Sequence, residues 1–146
     1  MTVARDLSRI LGPLRRAVLR AARADTGLPD LPEAQIELLR VLLAHGPIGS
    51  GEVAARLRVA SSTVSNLVRT MVANGLVERR PRPDDLRAVR LAPTDKARDL
   101  LRRYDQASSV RLDQALRQLT PADQATVASA LPVLEQLLRT LDERGP

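Results

Sequence analysis

Between residues 50 and 73 two short segments of helical apolar periodicity are separated only by Arg58, Val59 and Ala60, a spacing that limits the fold more than any other feature. In the first segment Val53, Ala54 and Leu57 turn inward, Ser50 or Gly49 caps the start, and Glu52 sits in the favourable first turn. The second spans 61–74. At about 100° per residue it carries Val64, Leu67, Val68 and Met71 on one side and Ser62, Asn66, Arg69 and Ala73 on the other. Asn74 and Gly75 supply its C-terminal cap. A three-residue turn sets two such helices at a steep angle, so both inner faces must share one small core.

The outer face of the second helix is unusual for a surface that only meets water. Exposed helix faces favour Glu and Lys, whereas Ser61, Ser62, Thr63, Ser65 and Asn66 are poor helix formers with short hydrogen-bonding groups. Such a strip fits a DNA major groove, where hydroxyls and amides meet base edges and helix N-terminal amides meet phosphates. Downstream, Leu76 to Arg80 and Ala88 to Leu91 have strand composition around the turn-rich tip 81–85. This hairpin carries Arg79, Arg80, Arg82 and Arg87 near Pro81 and Pro83, and arginine on a stiff tip suits a narrow minor groove.

Charge distribution supports the same segment. Eight arginines against three acids between Arg56 and Arg90 account for five of the six net positive charges of the chain. A solubilising charge would be spread over every helix, while a concentrated one attracts polyanions.

The flanks are helical. Val3, Leu7, Ile10, Leu14, Ala17 or Val18, and Ala21 form a seam over 3–24, with Gly12 and Pro13 predicting a bend or a restart. Residues 26–32 read as a linker. Helix 2 carries Ile36, Leu39, Leu42 and Leu43 and ends at His45, Gly46 and Pro47. Thr94 and Asp95 start helix 5, with Leu100 or Leu101, Tyr104, Ala107, Leu112, Ala115 or Leu116, and Leu119 on its stripe. Residues 120–123 open helix 6 as a capping box, followed by Val127, Leu131, Leu134, Leu138 and Leu141, with a bend expected at Pro132. The chain is therefore mainly α, six helices with a small β-hairpin. With one Tyr and neither Phe nor Trp, its core is leucine-built.

Residues 51–94 resemble the winged helix-turn-helix of the MarR family. ValAlaAlaArgLeu, SerSerThrValSerAsnLeuVal and GlyLeuValGluArg follow the order and spacing of the family's helix 3, recognition helix and first wing strand. Asp85, Arg87 and Thr94 match the wing's Asp-x-Arg and the threonine that opens the next helix. Departures are Arg58 where glycine is usual, Pro93 for a leucine, and Ala97 for a glycine.

The resemblance implies a homodimer held by its N- and C-terminal helices, and three parts: 1–30 for dimerisation and linkage, 31–93 for DNA binding, and 94–146 for dimerisation. It implies a transcriptional regulator, expected to be a repressor, bound to a pseudo-palindromic operator. The recognition helix 61–74 would lie in the major groove and the wing 77–91 at the minor groove. The DNA-binding residues it implies are Ser61, Ser62, Thr63, Ser65, Asn66, Arg69, Arg79, Arg82 and Arg87, with Asp85 orienting a wing arginine by a salt bridge. Its partners would be double-stranded DNA, a second copy and a small-molecule effector, for which the Tyr104 hydroxyl is the candidate contact.

Other chemistries find little support. The absence of cysteine removes disulfides, thiolate metal sites and thiol redox sensing. His45 is the single histidine and reads as a helix C-terminal charge, with a carboxylate-assisted interface metal site as its alternative. The one histidine has no Ser or Asp arrangement around it, no glycine-rich phosphate loop is found, and Asp84 with Asp85 reads as a wing tip beside arginines and not as a metal pair, so neither enzymatic activity nor a cofactor is expected. The N-terminus has no apolar stretch of signal or membrane-span length, which predicts a cytoplasmic protein away from membranes. Two alternatives stay open on the residues alone: a nonspecific architectural DNA-binding protein, and a helical protein-interaction module.

Overall fold

The computed structural model describes residues 2–85 and 87–143. The outer ends of the expected terminal parts, Met1 and 144–146, and Leu86 in the wing lie outside them. The order of elements is α1 (Val3–Thr26), α2 (Glu33–His45), α3 (Ser50–Leu57), α4 (Ser61–Ala73), β1 (Val77–Pro81), β2 (Val89–Pro93), α5 (Asp95–Leu116) and α6 (Pro121–Glu143).

Local chemistry sets the boundaries. Thr2 caps α1 by accepting the Arg5 amide, and Gly27, at φ 62°, ends it in the left-handed region that glycine adopts without a Cβ penalty. Between them α1 is one helix through Gly12 and Pro13, so the sequence expectation of a restart there is not met. Thr94 caps α5 by accepting the Ala97 amide, and its own hydroxyl donates to the Gly75 carbonyl at 2.6 Å. Thr120 and Asp123 form the expected capping box, with the Asp123 amide donating to Thr120 Oγ1 at 3.1 Å and the hydroxyl to Asp123 Oδ2 at 2.8 Å. Pro132 lies in the interior of α6.

The core joins α2, α3, α4, the hairpin and the inner side of α1 and α5. Leu38, Leu39, Leu42, Val53, Val64, Met71, Val77 and Leu101 are its largest fully buried side chains. Each adds roughly 1.5–3 kcal/mol of transfer free energy. The stripe expected on α2 is displaced: Leu38 is buried and Leu43 is exposed, because α2 packs on more than one neighbour.

The hairpin is antiparallel, with Val77 opposite Pro93, Arg79 opposite Leu91 and Pro81 opposite Val89. Both prolines occupy strand ends, where the missing amide is tolerated. Ile48, in the loop before α3, bridges Leu91 through two backbone bonds of 3.1 and 2.7 Å. This ties the wing to the helix-turn-helix. Arg40 of α2 adds a paired contact to Asp105 of α5 at 2.6 and 3.3 Å, which holds the Arg40 guanidinium above its ordinary pKa.

α6 differs from the other helices in having no buried residue. Leu131, Leu138 and Leu141 are 54%, 59% and 62% exposed, and on α1 Ile10 and Leu14 are each 52% exposed.

Candidate nucleic-acid interface

The surface begins at the turn between α3 and α4. Arg58, with φ 55° and ψ 46°, ends α3 in the left-handed region, a conformation that disfavours a Cβ by roughly 1–2 kcal/mol. The chain is thereby redirected so that Ala60 caps α4 through its backbone, without any side-chain cap bond. The first amides of α4 are left open for an external acceptor, at the positive end of the helix dipole.

Along α4 the two faces separate as expected. Val64, Val68 and Met71 are buried, Leu67 is half-buried, and Ser61, Ser62, Thr63, Ser65, Asn66 and Arg69 are all exposed. Arg69 Nη1 donates to Asn66 Oδ1 at 3.4 Å, and the Thr70 hydroxyl donates to the Asn66 carbonyl at 3.3 Å. The exposed strip is thus continuous and carries hydroxyls, one amide and one guanidinium.

A groove of about 260 Å³ separates this strip from the wing and is lined by Ser50, Ser65, Arg69, Arg79, Val89 and Leu91 among others. Ser65, Arg69 and Arg79 are therefore brought to one place. Ser50 joins them. Its position at the start of α3 had suggested only a cap, and the cap is Gly49.

Arg82 and Arg87 lie instead at the wing tip, and the acid that braces an arginine there is Asp84. Arg82 Nη2 and Nε donate to its two oxygens at 2.8 and 3.1 Å, which holds the Asp84 carboxyl below the usual carboxylate range. The salt bridge expected of Asp85 is replaced by a turn contact: Asp85 Oδ1 accepts the Arg87 backbone amide at 3.0 Å. The neighbouring backbone bonds, Arg82 N–H to the Ala88 carbonyl and Ala88 N–H to the Asp85 carbonyl, leave Asp85 facing the chain it turns. Arg80 is held by Glu78 on the same strand.

A buried helix-turn-helix, an open polar strip on its second helix and a bridged arginine wing coincide with residues 31–89, which match the sequence model described as the MarR family. Over that segment the chain is similar to the MarR family. It is similar to the HTH-type transcriptional regulator YfiV of Bacillus subtilis, 24% identical over 109 residues, or 75% of this chain and 68% of that one. Its fold is similar to that of Rv1404 from Mycobacterium tuberculosis, with a TM-score of 0.80, 22% identity, and 92% of this chain and 90% of that one covered. It also resembles a mutant of Staphylococcus aureus MepR solved bound to an oligodeoxyribonucleotide, with a TM-score of 0.68, 18% identity, and coverage of 94% and 99%. The curated relatives that it matches, YfiV and YkoM of Bacillus subtilis, are both HTH-type transcriptional regulators.

Two residues away from the polar strip and the wing take structural places. Tyr104 is 2% exposed, and its hydroxyl donates to the Pro29 carbonyl, so it fastens the linker to α5. His45 ends α2 with its Nε2 3.3 Å from Arg56 Nη1. Among the described residues no group of three or more His, Asp or Glu side chains is placed to hold a metal, and no helix is long and apolar enough to cross a membrane.

Proposed function

We propose that this regulator is a sequence-specific repressor that binds a pseudo-palindromic operator as a homodimer. The observation that carries the reading is the short-polar strip of α4 beside a wing rich in arginine. Ser61, Ser62, Thr63, Ser65, Asn66 and Arg69 meet the major groove. Arg79, Arg82 and Arg87 meet the backbone and the minor groove, and residues 31–93 act as the reading lobe. The apolar faces that α1, α5 and α6 leave exposed are the dimerisation surface, contributed by 1–30 and 94–146. A contiguous leucine face that finds nothing to cover it on its own chain marks an association site.

A two-fold dimer sets its recognition helices about one turn of DNA apart, roughly 34 Å, so a small change in lobe orientation alters the fit. The small-molecule effector is assigned to the cleft of about 440 Å³ between α1, α2 and α5, which includes Leu14, Ile36, Arg40 and Tyr104 in its wall. Tyr104 would present its ring there, since its hydroxyl is already bonded to Pro29.

Selection of bound fragments from random duplex DNA tests the proposal. The expected product is an inverted repeat with half-sites about 10–10.5 base pairs apart. Equal recovery of unrelated sequences would overturn it in favour of nonspecific architectural binding.

A further inference from the structure

We propose that Arg58 is a positioning residue that ties the reading lobe to the far end of α6 and so fixes which half-site spacing the dimer accepts. The inference rests on the dimeric operator reading above and adds the device that sets its geometry.

Arg58 is the one non-glycine among the described residues with a positive φ. Glycine would adopt this backbone without strain, so the chain tolerates an unfavourable conformation and gains a long cationic side chain at that point. The guanidinium reaches 84 residues along the sequence: Arg58 Nη2 donates to the Asp142 backbone carbonyl at 2.6 Å. That carbonyl belongs to the last turn of α6, where acceptors lack partners within the helix and the helix dipole places partial negative charge. Acceptor and donor are thus matched in charge as well as in distance.

Its consequence follows from how α6 is held. The helix has no buried residue in its own chain, so side-chain packing does little to fix its direction. Its start is joined to α5 by the short connection 117–120, and its 23 residues span about 34 Å before meeting Arg58. Beneath the contact lies a cleft of about 510 Å³ whose walls include Leu57, Val59, Thr63, Leu67 and Asp142. The tether therefore bridges an open gap. On the lobe side Arg58 is three residues before Ser61, where α4 presents its first base-facing side chains. Pinning this turn orients the reading helix relative to the helices that carry the second copy.

Arg58→Gly separates this role from a structural one, since it removes the guanidinium and relieves the backbone. In the 146-residue chain the variant is expected to keep its dimer mass and to hold or raise its melting midpoint. Its affinity for unrelated duplex DNA, and the salt slope of that affinity, should match wild type. Affinity for the selected operator should fall about tenfold, with looser discrimination against operators whose half-sites are moved by one base pair. Arg58→Lys, which restores a cation able to donate to the same carbonyl, should recover most of the discrimination. Wild-type spacing preference in Arg58→Gly would overturn the proposal. So would a uniform loss on all duplexes with the salt slope reduced by about 2 for the dimer, the signature of a phosphate contact. If wild type selects no sequence, the operator reading itself fails, and this inference falls with it.

Discussion

Replacing Arg87 by alanine measures how the wing contributes to the complex. In the reading lobe Arg69, Arg79 and Arg87 are exposed and, among the described residues, have no carboxylate at ion-pair distance, whereas Arg56, Arg80 and Arg82 are held by Glu52, Glu78 and Asp84. In the proposed dimer two copies present about six available guanidinium groups, so log affinity should fall with log salt at a slope of about −5. Arg87→Ala removes two of the six, and the slope should drop to about −3.5. Raising salt from about 50 to about 200 mM then weakens the wild-type complex about a thousandfold and the variant about a hundredfold. Fluorescence anisotropy on a labelled operator, repeated across a salt series, reads both slopes, and sedimentation checks that the dimer is intact. Arg117→Ala, at the end of α5 beside Asp113, serves as the control with an unchanged slope. Parallel lines for Arg87→Ala and wild type would refute the reasoning, because a guanidinium at a phosphate must release counterions when it binds.

Four further outcomes are expected. Leu131→Glu combined with Leu138→Glu should yield a monomer by sedimentation with little loss of helical circular dichroism, since neither leucine is buried in the protomer. Asp84→Asn should raise operator affinity about two- to threefold at low salt by freeing Arg82 and removing a negative charge near phosphate. Because the pKa of Asp84 is depressed in the folded chain, its pairing with Arg82 is fully present above the ordinary carboxylate pKa and lost only as pH falls through the lower folded value, so NMR titration should find its carboxyl still mostly ionised at the pH where a free aspartate is half protonated. Tyr104→Phe should lower stability by about 0.5–1.5 kcal/mol in denaturant melts, through the lost bond to Pro29, while leaving operator affinity unchanged.

The helix-turn-helix was legible because its apolar positions recur with a single period and have one core to face: Val53 and Ala54 on α3, and Val64, Val68 and Met71 on α4, are all buried. On α2 the same reasoning chose Leu43 over Leu38. Residues 38, 39, 41, 42 and 43 are all aliphatic, and period alone cannot say which of several neighbours decides burial. The bridge between Ile48 and Leu91 was invisible because one residue has no periodicity. At the wing tip two adjacent acids were available, and turn geometry sent Asp84 to Arg82 and Asp85 to a backbone amide. Ser50 entered the groove through the packing of α3 against α4, a relation that local sequence does not encode.

The bareness of α6 has a thermodynamic consequence. A 23-residue helix with no buried side chain gains almost nothing from the fold of its own chain, and in the proposed dimer its leucines are covered by association. Melting should therefore depend on protein concentration, rising as the dimer is favoured by mass action. Dilution would loosen α6 before the reading lobe opens, because the lobe has its own buried core. The amount of protein in solution then becomes a control on DNA binding in its own right: below the dissociation threshold, folded lobes persist but no longer come in registered pairs.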